Sequence, residues 1–279
     1  MPNAQLQVSI AQINVGLRAL EANLAKHADY IRQARQQGAE LLLFPELSLT
    51  GYQLGREVPQ VAMAADDERL RALAAIAPEL CVVAGFVEQA TPGEYYNACA
   101  ILHNGAVQAV HRKLNLPTYG GLEEGKWYSR GRQLSQTAIK PGWRASTLIC
   151  ADLWNPALVH CAMLQKPELL LAPVNSASAI VSEEFSNERN WLTNIGFYAM
   201  TYGVPVLMAN RYGPEGDAFF WGGSRILGPR GELLAAAEEG ESLISARLNL
   251  TDIGAARFDL PTLRDADTPL IRHLLDQSG

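Results

Sequence analysis

A cysteine that ends an apolar segment is the residue of this chain best suited to covalent chemistry. Cys150 closes the run 146–150, and Pro156 starts a helical segment a few residues later. Backbone N–H groups and a helix N-terminus directed at a sulfur favour its thiolate form, so Cys150 is a candidate nucleophile. A small buried hydrophobic residue is the alternative interpretation, since most free cysteines are of that kind.

A glutamate and a lysine occupy comparable positions. Glu46 follows the apolar run 41–44, and a proline and a glycine beside it constrain its turn more than a solvated glutamate requires. Lys113 follows the second arm of a hairpin that Asn104-Gly105 predicts, and it opens a long loop rich in glycine and aromatic residues. Loops of this length are usually functional. A solvated carboxylate and a charged surface loop are the alternatives.

If these three side chains meet, they can cleave a carbon–nitrogen bond. Cys150 would attack, Glu46 would take its proton, and the ammonium of Lys113 would lower the pKa of the thiol and stabilise the oxyanion. The backbone N–H of Ala151 is a second candidate donor to that oxyanion.

A cysteine hydrolase of the other common kind needs a catalytic histidine. We place His27 in a surface helix and His103 beside a hairpin turn, whereas His111 and His160 stay open candidates by position. Neither a Gly-x-Ser-x-Gly elbow nor a phosphate-binding glycine loop occurs in the sequence.

Alternating strands and helices must position these residues. Helical spacing begins near residue 17 and stops at a glycine at 38, and further helices are predicted over 66–77 and 184–202. Strands are predicted over 6–13, 41–44, 80–87, 96–103, 106–111, 146–150, 169–172 and 204–209, followed by a strand meander over 219–227, 232–236 and 242–248. Each candidate catalytic residue follows the carboxyl end of a strand, where the active sites of α/β proteins gather. We expect an α/β fold with helices outside a pair of sheets.

Composition narrows the classes of function. The 279 residues carry a net charge of −6 and a pI near 5.4, which offers no basic surface for nucleic acid or an anionic membrane. No apolar run approaches the roughly 20 residues of a membrane span. Residues 1–5 lack the basic and apolar regions typical of a signal peptide, so we expect none. The four cysteines form no C-x-x-C pair, which argues against zinc and favours reduced thiols in a cytoplasmic protein.

Three motifs, in this order, resemble the nitrilase superfamily of carbon–nitrogen hydrolases. They are Phe44-Pro-Glu46 with Gly51-Tyr52, then Arg112-Lys113-x-x-Leu-Pro117 with Glu124, then Cys150-x-Asp152; the stretches at 210–213 and 222–224 also match. The resemblance covers about residues 5 to 270. It implies a four-layer α-β-β-α sandwich, a homodimer or higher homo-oligomer, no metal and no organic cofactor. It assigns Glu46 as base, Lys113 as cation, Cys150 as nucleophile and Glu124, rather than the adjacent Glu123, as the second carboxylate.

Within the superfamily the sequence is similar to the glutaminase domains of glutamine-dependent NAD synthetases and to their free-standing relatives. Those domains typically carry a glutamate after the nucleophile, whereas this chain has Ala151, which disfavours glutamine as substrate. The sequence ends where a synthetase domain would begin, so we expect a single hydrolase domain over 1–279, with a tail from about residue 250.

We therefore expect hydrolysis of a small amide that releases ammonia. A nitrilase, an N-carbamoyl amide hydrolase and a glutaminase-type amidase are the catalytic alternatives, and a silent binding scaffold is the non-catalytic one. The candidate substrate-binding residues are Tyr52, Tyr119, Ala151, Trp154 and Asn175, and Trp127 is a further aromatic candidate.

Overall fold

A computed structural model describes residues 4–278, which contain fourteen strands and eight α-helices. The strands are β1 (Gln5–Gln12), β2 (Leu41–Leu43), β3 (Cys81–Thr91), β4 (Glu94–His103), β5 (Ala106–Arg112), β6 (Gln136–Lys140), β7 (Trp143–Thr147), β8 (Leu169–Val174), β9 (Val206–Asn210), β10 (Tyr212–Glu215), β11 (Ala218–Trp221), β12 (Arg225–Leu227), β13 (Leu233–Ala236) and β14 (Ser242–Asn249). The helices are α1 (Leu20–Gln36), α2 (Val58–Val61), α3 (Glu68–Ile76), α4 (Glu124–Trp127), α5 (Pro156–Leu164), α6 (Asn187–Tyr202), α7 (Leu250–Asp259) and α8 (Thr268–Ser278).

Two six-stranded sheets form the frame of the molecule. The first has the order β14-β1-β2-β3-β4-β5, and the second has the order β13-β12-β9-β8-β7-β6. The three strands β1, β2 and β3 are parallel in one sheet, and β7, β8 and β9 are parallel in the other. Parallel strands place their carboxyl ends at one edge, so both sheets present loops there.

Successive side chains of the short central strands point to opposite faces of each sheet, and this alternation gives the layers of the fold. In β2, Leu42 packs towards α1 and α3, whereas Leu41 and Leu43 pack against the second sheet. In β8, Leu170 packs towards α5 and α6, and its neighbours on either side face the first sheet. The predicted four-layer α-β-β-α sandwich is thus confirmed, because strands that are apolar on both faces must be covered on both faces.

Most helices and the hairpin are predicted correctly, with small shifts at their ends. The helix predicted from residue 184 begins at Asn187, because the side chain of Ser186 accepts a hydrogen bond from the N–H of Arg189 and caps it there. Asn155 caps α5 through the N–H of Ala157, as the sequence indicates.

Two predictions about the C-terminal part are wrong. The last predicted strand, β14, does not continue a meander but pairs antiparallel with β1 in the first sheet. The region predicted as a tail from about residue 250 begins with α7, whose Ile253 and Ala256 are buried against the body of the protein. Elsewhere in the chain, the long loop that Lys113 opens contains the short helix α4. No helix within residues 4–278 is long and apolar enough to cross a membrane.

Candidate active site

The three candidate catalytic residues lie just beyond the ends of three different strands. Glu46 follows β2, Lys113 follows β5 directly, and Cys150 follows β7 and opens a short 3₁₀ helix. β2 and β5 belong to the first sheet, whose loops bring Glu46 and Lys113, 67 positions apart, into a hydrogen bond, and β7 of the second sheet supplies Cys150.

Lys113 is enclosed between two carboxylates. Its Nζ donates to Oε1 of Glu46 at 2.6 Å and to Oε1 of Glu124 at 2.7 Å, and all three side chains are buried. Burial by itself would lower the pKa of Lys113, but the charges of Glu124 and Glu46 raise it well above its usual value. Burial raises the pKa of Glu124, against the opposing effect of Lys113. The lysine is therefore a fixed cation, with a third N–H group beyond the two that these carboxylates accept.

Further donors hold the carboxylates in place. Asn97 Nδ2 donates to Oε1 of Glu46 at 2.7 Å, and Asn175 Nδ2 donates to the backbone carbonyl of Glu46. The hydroxyl of Tyr52 donates to Oε1 of Glu124 at 2.6 Å. Oε2 of Glu46 is buried and has no hydrogen-bond partner among the described residues. That free oxygen is available to a proton from substrate or thiol.

Cys150 is partly buried and lines a cavity. Its φ of 45° lies in the left-handed region, which is strained for a residue with a Cβ and often marks a functional site. Burial and then the charge of Glu46 raise the pKa of the thiol well above its usual value, and Lys113 lowers it only in part. Lys113 therefore acts on the thiol in the expected direction, but desolvation and two carboxylates outweigh one ammonium and leave the pKa raised.

Asp152 ties the nucleophile to the loop of Lys113. Its Oδ1 accepts the N–H groups of Leu114 and Asn115, at 3.0 and 2.6 Å, and its Oδ2 accepts the N–H of Ile149 at 2.9 Å. Burial raises the pKa of Asp152 to about 7. The resemblance included this aspartate in a motif, but only the fold shows what it bridges.

A glycine in β3 makes room for the turn that carries Glu46. A Cβ at Gly85 would lie 2.2 Å from the N atom of Leu47 and 2.5 Å from the carbonyl oxygen of Pro45. No local pattern distinguishes this glycine, because the close approach joins segments about 40 residues apart.

A buried ion pair supports the loop that carries Tyr52. Arg211 pairs with Glu215, and Glu215 Oε1 accepts the N–H groups of Tyr52 and Gln53 at 3.1 and 2.7 Å. The Arg211 guanidinium also lies over the ring of Phe220, 4.6 Å from its centroid. Arg211 belongs to the stretch 210–213 that matches the superfamily. It therefore affects the site indirectly, by fixing Glu215 and so the backbone of the loop that carries Tyr52.

The predicted substrate-binding residues line one cavity with Cys150. It has a volume of about 260 Å³, and the predicted residues among its walls are Tyr52, Tyr119, Ala151, Trp154 and Asn175. Trp127 lies instead in an adjoining cavity, where Glu123 and Glu124 are found. Of the two neighbouring carboxylates, Glu124 contacts Lys113, whereas Glu123 is exposed and pairs with Lys126.

The histidines take no part in this cavity as far as the described residues show. His27 lies in the surface helix α1, as predicted, but on its buried face. Its ring stacks on Phe44, Nε2 bonds to Oγ of Ser48, and burial lowers its pKa to about 4. His160 contacts the hydroxyl of Tyr202 at 3.1 Å. His111 is buried at the edge of the first sheet, and burial lowers its pKa to about 4.

Residues 4–278 contain no group of three or more His, Cys, Asp or Glu side chains placed to hold a metal ion.

Comparison with known proteins fits this geometry. Residues 7–258 match the family model described as carbon-nitrogen hydrolase. The chain belongs to the carbon–nitrogen hydrolase family. Together with amidase relatives and structural neighbours, this match identifies it as a carbon–nitrogen hydrolase of the nitrilase superfamily.

Individual relatives differ in how much of their length this hydrolase spans. It is 29% identical to the glutamine-dependent NAD(+) synthetase of Thermotoga maritima, over 82% of this chain but only 39% of that protein. It is 26% identical to the citrullinase of Francisella tularensis subsp. tularensis, over 94% of this chain and 95% of the relative. The amidase of Nesterenkonia sp. AN1, solved with the acetamide moiety of fluoroacetamide added covalently to its active-site cysteine, is similar with a TM-score of 0.81, 25% identity and 98% of each chain covered.

Proposed function

We propose that this hydrolase cleaves the carbon–nitrogen bond of a small carboxamide through a thioester on Cys150 and releases ammonia. The arrangement of Lys113 supports the proposal most: a buried ammonium between Glu46 and Glu124, beside a cavity whose wall includes a cysteine. In a mutant of the Nesterenkonia amidase, the active-site cysteine carries the acetamide moiety of fluoroacetamide. That adduct keeps its amide bond, so it supports a nucleophilic cysteine at this place in the fold.

Acylation begins with a neutral thiol, because the pKa of Cys150 is raised. Glu46 accepts the thiol proton on Oε2, its oxygen without a partner, as Sγ attacks the amide carbon. The third N–H of Lys113 and the backbone N–H of Ala151 stabilise the oxyanion. The carbon–nitrogen bond then breaks, Glu46 returns the proton to the nitrogen, and ammonia leaves.

Deacylation uses the same groups with water as nucleophile. Glu46 takes a proton from water, the hydroxide adds to the thioester carbon, and the carbon–sulfur bond breaks. The thiolate recovers its proton from Glu46, and the carboxylic acid leaves. One base thus serves both half-reactions, as microscopic reversibility favours.

In this scheme, Glu124 and Tyr52 hold the ammonium of Lys113 in position to donate to the substrate oxygen. Glu124 binds the ammonium, and the hydroxyl of Tyr52 fixes Glu124 in turn. Without Glu124, the ammonium could turn wholly towards Glu46 and away from the substrate oxygen.

The catalytic alternatives share this machinery and differ in substrate. A nitrile would give a thioimidate at the same sulfur, and the name of the citrullinase relative favours an N-carbamoyl compound. Similarity to the glutamine-dependent NAD(+) synthetase favours glutamine as the substrate. Ala151, however, has no charged side chain that could pair with the ammonium group of glutamine. A silent binding scaffold is disfavoured, since all four reactive side chains are present. A homodimer, a single domain and a cytoplasmic location stay predictions from the sequence.

Ammonia release from matched compounds tests the proposal. Butanamide, butanenitrile, N-carbamoyl-β-alanine and glutamine are each incubated with the purified protein and with a Cys150→Ala variant. We expect butanamide to be the best of the four and the variant to be inactive. Intact mass of the wild-type protein, quenched with acid during turnover of butanamide, should show an added butanoyl group that the Cys150→Ala variant lacks. Silence on all four compounds and no adduct would refute the proposal.

A further inference from the structure

The wall of the cavity above Cys150 is mostly apolar, and its polar side chains are uncharged. Six of its lining side chains are large and apolar: Leu122, Trp154, Ile180, Val181, Phe185 and Trp191. The ring centroid of Trp154 lies 5.0 Å from that of Trp191 and 5.9 Å from that of Phe185, both edge to face. These rings form a rigid apolar wall close to the nucleophile, since Trp154 belongs to the 3₁₀ helix that Cys150 begins.

None of the described side chains that line this cavity belongs to Asp, Glu, Lys or Arg. The charges of the site are those of Lys113, Glu46 and Glu124, which pair with one another below it. An ammonium or carboxylate on the acyl chain of a substrate would lose its hydration here and gain no ionic partner.

The polar groups of the wall are neutral. Oγ of Ser176 accepts hydrogen bonds from Nδ2 of Asn187 and from Nε1 of Trp221, each at 3.1 Å. Oδ1 of Asn187 is buried and has no partner among the described residues, so it can accept one neutral donor. Asn187 is therefore a neutral hydrogen-bonding residue in the wall of the cavity, at a position where a carboxylate would place a charge.

We infer that the substrate is an uncharged carboxamide with a small apolar acyl group, and that Asn187 is a specificity-determining residue that keeps the pocket neutral. The inference rests on the proposed function and narrows it, because it excludes amides of amino acids and of diamines. The volume of about 260 Å³ suits a compact acyl group of only a few carbons.

Three amides of matched length test this inference: hexanamide, 5-aminopentanamide and 4-carbamoylbutanoate, which are neutral, cationic and anionic at pH 7.5. We expect kcat/KM for hexanamide to exceed that for each charged amide by at least about 100-fold, since the unpaired charge must be desolvated.

An Asn187→Asp variant should reverse part of this preference. It places a carboxylate in the wall, and we expect the ratio of kcat/KM for 5-aminopentanamide to that for hexanamide to rise at least about tenfold. Position 187 starts α6, where an acidic residue favours the helix, so the variant should fold. An Asn187→Leu variant is the neutral control and should keep the preference for hexanamide.

The results of these experiments distinguish a failure of the inference from a failure of the proposed function on which it rests. Ammonia release from a charged amide at a rate equal to or above that of hexanamide would overturn the inference and leave the hydrolase proposal standing. Fast hydrolysis of a cationic amide whose ammonium pairs with Glu123 in the adjoining cavity would count as this outcome. An unchanged ratio in Asn187→Asp would overturn the role of Asn187. If none of the three amides reacts and no adduct forms on Cys150, the proposed function fails and the inference fails with it.

Discussion

Removal of the buried ammonium is the sharpest perturbation that the site allows. In a Lys113→Met variant the apolar volume of the side chain is largely kept, but Glu46 and Glu124 lose the cation that both accept. Both carboxylates are buried, with Glu124 only 4% exposed, so the variant leaves two buried carboxylates without their ionic partner. Breaking a buried ion pair on one side costs about 3–5 kcal/mol of stability.

The same variant should lose activity for a separate reason. Loss of one oxyanion donor lowers kcat by about 10²- to 10³-fold, and loss of charge pairing around the base adds to this. Urea unfolding gives the free energy of unfolding, and ammonia release from butanamide gives kcat. Lys126→Met is the matched control on the same loop, because Lys126 is exposed and pairs only with the exposed Glu123.

The pH dependence of stability distinguishes this explanation from a packing defect. The folded-state pKa of Glu124 already lies above its usual 4.5, and loss of Lys113 raises it further. A carboxyl group of this kind binds more protons in the folded state, so the free energy of unfolding falls as pH rises from about 4.5 through the folded pKa. The variant should therefore be less destabilised at pH 5 than at pH 8, by about 1 kcal/mol or more. A pH-independent loss, or a loss no larger than that of Lys126→Met, would refute the reasoning.

Three further predictions concern residues that position the site. Tyr52→Phe removes the donor to the second carboxylate and should lower kcat about tenfold or more with little change in KM, whereas Tyr119→Phe should leave kcat near the wild-type value; equal effects would contradict the role of the hydroxyl. Gly85→Ala forces a Cβ into the turn that carries the base and should abolish ammonia release, while Gly254→Ala, where a Cβ has open space, should keep activity and thermal stability. Asp152→Asn removes a carboxyl whose pKa is about 7. In urea titrations, the free energy of unfolding of the variant should therefore fall less between about pH 4 and pH 7 than that of the wild type. A slope equal to that of the wild type would show that this carboxyl does not titrate in that range.

Local sequence signals were sufficient for much of the fold. Asn104-Gly105 predicts a hairpin that the structure has, with Asn104 and Gly105 at φ of 52° and 72°, because so few residues tolerate that turn. The short apolar runs that became β2 and β8 predict strands buried on both faces, and hence helices outside two sheets. The order of the motifs around Glu46, Lys113 and Cys150 identified the residues that the structure brings together.

The sequence could not determine which distant segments lie in contact or how those contacts shift the pKa of each ionisable side chain. The strand pattern of β14 is compatible with either sheet, since ladder hydrogen bonds join backbone atoms that every residue carries. Tyr52 and Glu124 are 72 positions apart, and no spacing rule links them. The pKa of Cys150 depends on burial and on the summed fields of Glu46, Glu124 and Lys113, so its direction was decided by three-dimensional packing. Residue types specified which chemistry is available, and only the tertiary structure fixed the distances and the loss of water on which that chemistry depends.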